Sequence, residues 1–374
     1  MITYYPLNQF LMEYTERNSD NEYRPVAVGR YGIRTRESIF SKELAKDYSK
    51  NKLIYKDTLT VGMGSVQIDI GVLSEDVIYS VSPAYHTYRI EGINSEYLKY
   101  CLECRNQDMF VRYVKKGSRQ GKTIDLKRWL TYEIPVCSEM EQKRVVEKIS
   151  YVDALIEVAQ TQLAKLDDLV KSRFVELFGG RNYPQTPLIQ LIVDGAGLSY
   201  GIIVPGDNVE DGVPMVRPSD FKNDELCLDN VYKVAPEIEA KYARTRLIGD
   251  EILVQVIGQP GQIMLSDSRC KGMNVTRNLA VVRPDGNRIN RIYLKIYMQT
   301  QEAQAFMLGE TKQSTLKQLP LGRLKELEVP VPPMELQNQF ATFVEQTDKS
   351  KLAVKKSLEK LETLKKTLMQ RYFG

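Results

Sequence analysis

The stretch "LEVPVPPMELQ" (residues 327–337) has an earlier counterpart, "YEIPVCSEMEQ" (132–142). Each sets an acidic residue, an apolar residue, Pro and Val in a row and reaches a Gln at the same distance. Each is followed by a long polar–apolar stretch that closes on Phe-Gly, at Phe178-Gly179 and at Phe373-Gly374. Without a gap, Glu133 meets Glu328, Pro135 meets Pro330, Gln142 meets Gln337, Asp153 meets Asp348 and Leu169 meets Leu364. The match continues upstream with small slips. "INSEYLK" (93–99) meets "INRIYLK" (289–295), "VSPAYHTYR" (81–89) faces "VTRNLAVVR" (275–283), and a "YGI" stands at 31–33 and at 200–202. A repeat this long means two copies of one unit. Each copy has a globular part and then a helical part: 1–132 with 133–179, and 180–327 with 328–374.

The helical parts are the more legible. Ser138 with Glu141 three residues on reads as a capping box. Pro332-Pro333 sits where a helix tolerates proline, in its first turn. In the first copy Ile149, Val152, Ile156, Ala159, Leu163, Leu166 and Val170 recur at alternating three- and four-residue steps, the seam of a coiled coil. In the second copy Val344, Leu358, Leu361 and Leu368 continue such a seam, interrupted by Thr347 and Lys351. Each helix should run about 35 to 40 residues, roughly 55 Å. Two helices with one narrow stripe each satisfy both stripes by packing on each other. The globular parts read as mixed. "EILVQVIG" (251–258) and "NLAVVRP" (278–284) are strand-like runs bounded by turn residues. "EYLKYCLECRNQDMFVRYV" (96–114) and "RIYLKIYMQTQEAQAFML" (291–308) are amphipathic helices. The expected fold class is α/β: two repeated domains with a twisted or barrel-like sheet, joined by two long antiparallel helices.

The composition, 43% hydrophobic and 27% charged over 374 residues, is that of an ordinary globular protein of two or three domains. A net charge of +4 permits nucleic-acid binding without demanding it. No apolar run reaches the length of a membrane span and no signal peptide is legible, so a cytoplasmic protein is expected. Cys101 and Cys104 form a lone CxxC, and with a single His, His86, no zinc ligand set follows. There is no P-loop. "GMGSVQ" (62–67) has two of the three glycines of a dinucleotide fingerprint but no βαβ setting. Glu239-x-Lys241 is a fragment of a metal-dependent nuclease pattern with no supporting Asp. Nothing assembles a nucleophile, base and oxyanion donors. A binding and scaffolding protein is expected, not an enzyme.

With these features in place, the chain resembles the specificity subunits of type I restriction-modification systems. The resemblance rests on "LKELEVPVPPMELQNQF…LEKLETLKKTLMQRYFG" with its first-copy partner. It rests also on the second-half series "YGIIVPG…VPMVRPSDF…KYARTRLIGDEILVQVIGQPGQ…NVTRNLAVV". Cys137-Ser138 departs from the usual Pro-Pro. The resemblance implies two target-recognition domains that each read one half of a split double-stranded DNA site, with the helices as a ruler for the gap. It implies two docked methyltransferase subunits and, beyond them, restriction/translocase subunits. It implies no cofactor on this chain: S-adenosylmethionine, Mg²⁺ and ATP belong to those partners. The competing expectation is a coiled-coil adaptor that never binds DNA.

Candidate DNA contacts follow from residue type and loop position, with cations for phosphates and amides, hydroxyls or Arg for base edges. In the first copy they are Arg34, Arg36, Ser65, Gln67, Lys116, Arg119, Gln120 and Lys122. In the second they are Tyr200, Arg217, Ser219, Gln259, Gln262, Arg277, Asn278 and Lys312.

Overall fold

The computed structural model describes residues 2–30, 32–36, 47–116, 121–222, 225–309 and 318–374, with Lys116 and Glu225 described through their backbone only. The chain divides into two compact units, Met1–Gln162 with Val354–Gly374, and Leu163–Ala353. The boundaries fall inside two long helices, Glu139–Phe178 and Met334–Phe373. Each unit therefore holds the start of one long helix and the end of the other.

In the first unit an antiparallel sheet runs in the order Leu11–Tyr14, His86–Ile90, Thr58–Met63, Ile68–Leu73. Two of its strands, "TLTVGM" and "IDIGVL", are buried along nearly their whole length, which is why they read as continuous apolar runs and not as alternation. A second sheet runs Gly32–Thr35, Pro25–Gly29, Tyr79–Val81, Lys52–Ile54, with its middle pair parallel. Helices Ser95–Cys104 and Asn106–Tyr113 contribute Tyr97, Leu98, Cys101 and Met109 to a core completed by Trp129 and Tyr88.

The second unit repeats this plan. Its first sheet runs Ser199–Tyr200, Leu279–Val282, Ile252–Gln255, Ile263–Leu265. Its second runs Tyr232–Val234, Val213–Val216, Asn274–Val275, again with one parallel pair. Helix Arg291–Met298 takes the place of Ser95–Cys104. Two expectations are corrected here. The described sheets end in free edges and do not close into barrels. The two "YGI" runs do not correspond: Gly32–Thr35 edges the second sheet of its unit, whereas Ser199–Tyr200 edges the first sheet of the other.

Each long helix is entered through a short strand paired with the beginning of its unit: Thr3–Pro6 with Glu133–Val136, and Gln185–Pro187 with Glu328–Pro330. Two buried glutamines then fix the helix starts. Gln142 accepts the Asn94 N–H at 2.9 Å and donates to Cys137 O at 2.9 Å. Gln337 accepts the Asn290 N–H at 2.8 Å and donates to Pro332 O at 2.7 Å. Asn94 and Asn290 are themselves N-caps, their side chains accepting from Tyr97 N and from Ile292 N and Tyr293 N. Ser138 caps the first long helix as expected, its hydroxyl accepting the Glu141 N–H at 3.4 Å.

The repeated Phe-Gly ends have matching places too. Phe178 packs on Tyr293, ring centroids 4.8 Å apart, and Phe373 on Tyr97 at 5.0 Å. Arg105 Nε closes the last turn by donating to Phe373 O at 2.5 Å. Inside each unit the helix segments run antiparallel. In the first, Lys365 meets Asp153 at 2.7 Å and Lys148 Nζ donates to Tyr372 OH at 3.3 Å. In the second, Lys351 meets Asp167 at 2.7 Å and Phe174 meets Phe340 edge-on, ring centroids 5.5 Å apart. Lys351 thus enters the seam as an ion-pair partner, and Thr347 is buried with its hydroxyl donating to Phe343 O. Of the seam residues, Ile149, Val152 and Val344 are buried where a globular part packs on the helix. Ile156, Leu163, Leu166, Leu358, Leu361 and Leu368 are only half-buried, because a helix pair covers a narrow stripe.

Candidate nucleic-acid interface

In the second unit, the turn from Ile257 to Gln262 joins the inner strand Ile252–Gln255 of the first sheet to its edge strand Ile263–Leu265. Gln255 organises it: its N–H donates to Gln262 O at 2.8 Å and its buried side chain to Ile257 O at 2.9 Å. Gly258 and Gly261 hold φ near +92° and +91°, and at Gly261 a Cβ would fall 2.6 Å from Gln304 Oε1. Those positive φ angles lie in the region that favours glycine. Gln259 and Gln262 project from the turn, exposed.

Beside it runs the loop Val275–Asn278. Asn278 O accepts from Val256 N at 2.8 Å, and Arg277 N donates to Ile202 O at 2.9 Å. The Arg277 side chain is exposed. Gln318 bridges to Ile257 and donates to Tyr200 OH at 3.2 Å. Tyr200, Gln259, Gln262, Arg277 and Asn278 therefore gather around one end of the first sheet. Two other candidates stand differently. Arg217 is engaged in a fork on Asp220, at 2.8 and 3.2 Å, and donates also to Asn230 O. The Asp220 hydrogen bond raises the guanidinium above its ordinary range. Ser219 is exposed on the short turn Pro218–Asp220. Lys312 lies outside the described residues.

In the first unit the same hairpin carries Ser65 and Gln67. Gln67 O accepts from Gly64 N at 3.1 Å, and Ser65 O accepts from Lys122 Nζ at 2.5 Å. Lys122 also lies 5.0 Å from the Phe110 ring centroid. Asn106 clamps the next strand by accepting from Ile68 N and donating to Ile68 O. The turn is thus tied to the hairpin Val114–Lys116 and Lys122–Ile124, so Ser65, Gln67, Lys122 and the backbone of Lys116 come together. Arg119 and Gln120 lie outside the described residues. Arg34 and Arg36 sit on another edge, Arg34 exposed on its strand and Arg36 over the Tyr48 ring at 5.2 Å.

Arg246 grips Glu239 at 2.5 and 2.9 Å and Asn274 donates to it, which holds its carboxyl below the usual range. His86 faces Glu13 at 3.1 Å. Burial pushes the Cys101 thiol up to about 12 and raises that of Cys104. Among the described residues no group of three or more His, Cys, Asp or Glu is placed to hold a metal, and no helix is long and apolar enough to cross a membrane.

Residues 206–365 match the type I restriction modification DNA specificity domain. The match falls in the second half of the chain, and the resemblance read from the sequence holds. The chain is 24% identical over 272 residues to the type I restriction enzyme EcoBI specificity subunit of Escherichia coli, covering 64% of this chain and 57% of that one. It is 29% identical over 170 residues to the putative type I restriction enzyme MjaX specificity subunit of Methanocaldococcus jannaschii, covering 43% and 39%. The chain spans about half the length, or less, of these curated relatives. Its fold is that of the type I S subunit from M. genitalium, with a TM-score of 0.60 at 15% identity over 100% of this chain and 96% of that one. A chain solved in work on type I complex assembly and conformational transition gives 0.54 at 17% identity, covering 100% and 97%.

Proposed function

We propose that this chain is the DNA-reading subunit of a type I restriction-modification complex, each unit recognising one half of a split site. One observation carries the proposal. The same hairpin-and-loop frame occurs twice, with different side chains at equivalent positions. The cross-strand register pairs Val61 with His86 and Val254 with Ala280. Exposed Pro83 and Ala84 therefore stand where the other unit has Arg277 and Asn278. A shared frame with exchanged tips suits two different short sequences, since base edges are told apart by donor and acceptor pattern.

The rest of the proposal follows the family. Two methyltransferase subunits dock on the long helices, restriction/translocase subunits join them, and the helices set the gap between the halves. S-adenosylmethionine, Mg²⁺ and ATP belong to those subunits, which also flip the target adenine out of the duplex. This chain catalyses nothing itself and works in the cytoplasm.

The test is a map of modified adenine in the host genome with the gene intact and deleted. A motif of two short halves around a fixed gap should lose methylation on deletion. An unchanged map, with the partner methyltransferase expressed, would remove the assignment.

A further inference from the structure

The register of the reading hairpins singles out a residue that sequence patterns passed over. In the first unit Val61 pairs with Ile70 and Gly62 with Asp69. In the second, Val254 pairs with Ile263, and Gln255 N bonds to Gln262 O. Asp69 therefore occupies the place of Gln262. It is half-buried, and no donor or cation among the described residues lies within bonding distance of its carboxylate. It sits closely against its neighbours, the Tyr85 ring covering Gly62 across the ladder and the carboxylate resting against Gly64. A Cβ on Gly62, directly across the ladder, would fall 2.3 Å from the Tyr85 ring, and a Cβ on Gly64 would fall 2.6 Å from Asp69 Oδ1. Two candidate cations of this unit have other partners, Lys122 donating to Ser65 O and Arg36 lying over the Tyr48 ring.

A carboxylate without a counter-ion on a surface that meets DNA is repelled by the phosphates. The repulsion is offset where the carboxylate meets a hydrogen-bond donor on a base edge. In the major groove the carboxylate's partner is the cytosine N4 amine, whereas an amide side chain suits adenine by donating and accepting together. We infer that Asp69 reads a cytosine in the half-site taken by the first unit, as Gln262 is placed to read an adenine in the other. The inference rests on the DNA-reading assignment above and deepens it.

The experiment is the adenine-methylation map of cells carrying the complete system with wild-type chain, Asp69→Asn or Asp69→Gln. In the wild type, one half of the motif should contain an obligatory G·C pair. In Asp69→Asn, discrimination at that pair should fall about tenfold or more, with the other half unchanged. Asp69→Gln should shift the preference there toward A·T. A half-site lacking any G·C pair would overturn the inference, as would an unchanged motif in both variants. So would failure of both variants to assemble with the methyltransferase, since the carboxylate would then be structural. A wild-type gene whose deletion erases no split motif removes the DNA-reading assignment itself. A clear wild-type motif that ignores both variants removes only the role of Asp69.

Discussion

Gln142 and Gln337 show what one repeated residue can hold. Each amide spends its acceptor on the N–H of a helix-capping Asn and its donor on the carbonyl before its own helix. The sequence repeat displays both glutamines, yet the partners lie 48 and 47 residues upstream, beyond any local pattern. Replacing Gln337 with Leu keeps the bulk and strands the Asn290 N–H and the Pro332 carbonyl. The second unit should lose roughly 2–4 kcal/mol, one to two for each stranded group. Gln337→Glu keeps the acceptor and loses the donor, so its loss should be smaller if the site excludes the charge cost, and larger if it does not. Urea unfolding of the variants, with hydrogen exchange to locate the loss, decides this. Unchanged exchange around Asn290 in Gln337→Leu would mean that the amide does not hold the helix start.

At the level of elements, the helical periodicity made both long helices legible, with their starts and their seam. What it did not reveal is where each helix ends up. Phe178 belongs to the first copy by sequence and packs on Tyr293 of the second unit, and Phe373 does the reverse on Tyr97. Phe373→Ala should therefore injure the first unit, by about 3–5 kcal/mol for a fully buried ring. Amide exchange should quicken along Ser95–Cys104 and stay slow along Arg291–Met298. Equal quickening in both helices would contradict the placement. The sheets were harder to read because their strands are short and pair over long distances. The repeat "PLNQ" (6–9) and "PLIQ" (187–190) is too short to stand out in the sequence. Its meaning is tertiary: Leu7 N and Leu188 N bond to Tyr132 O and Leu327 O, just ahead of each entry strand. The paired "YGI" runs misled because three residues match by chance where no register supports them.

For the molecule as a whole, the candidate site was legible as a type of place and not as a list of residues. The glycine turns and the loop of Arg277 were visible as polar interruptions of apolar strands. Which side chains stay available depends on neighbours that only folding supplies: Asp220 occupies Arg217, and Ser65 O occupies Lys122. Arg277 is left exposed beside the Ile257–Gln262 turn, and its replacement separates two ways of using a cation under the proposed function. If it reads a guanine edge, Arg277→Ala relaxes one position in one half of the motif and leaves the other half intact. If it only holds a phosphate, the variant binds all duplexes more weakly and lowers the salt slope by about one. The first outcome is expected, because Pro83 at the equivalent position gives the other unit no cation there. Combined with Asp69→Asn, Arg277→Ala should relax both halves with energies that add to within about 0.5 kcal/mol, as for sites sharing no partner. Strong non-additivity in the methylation maps would mean that the two units do not read their halves independently.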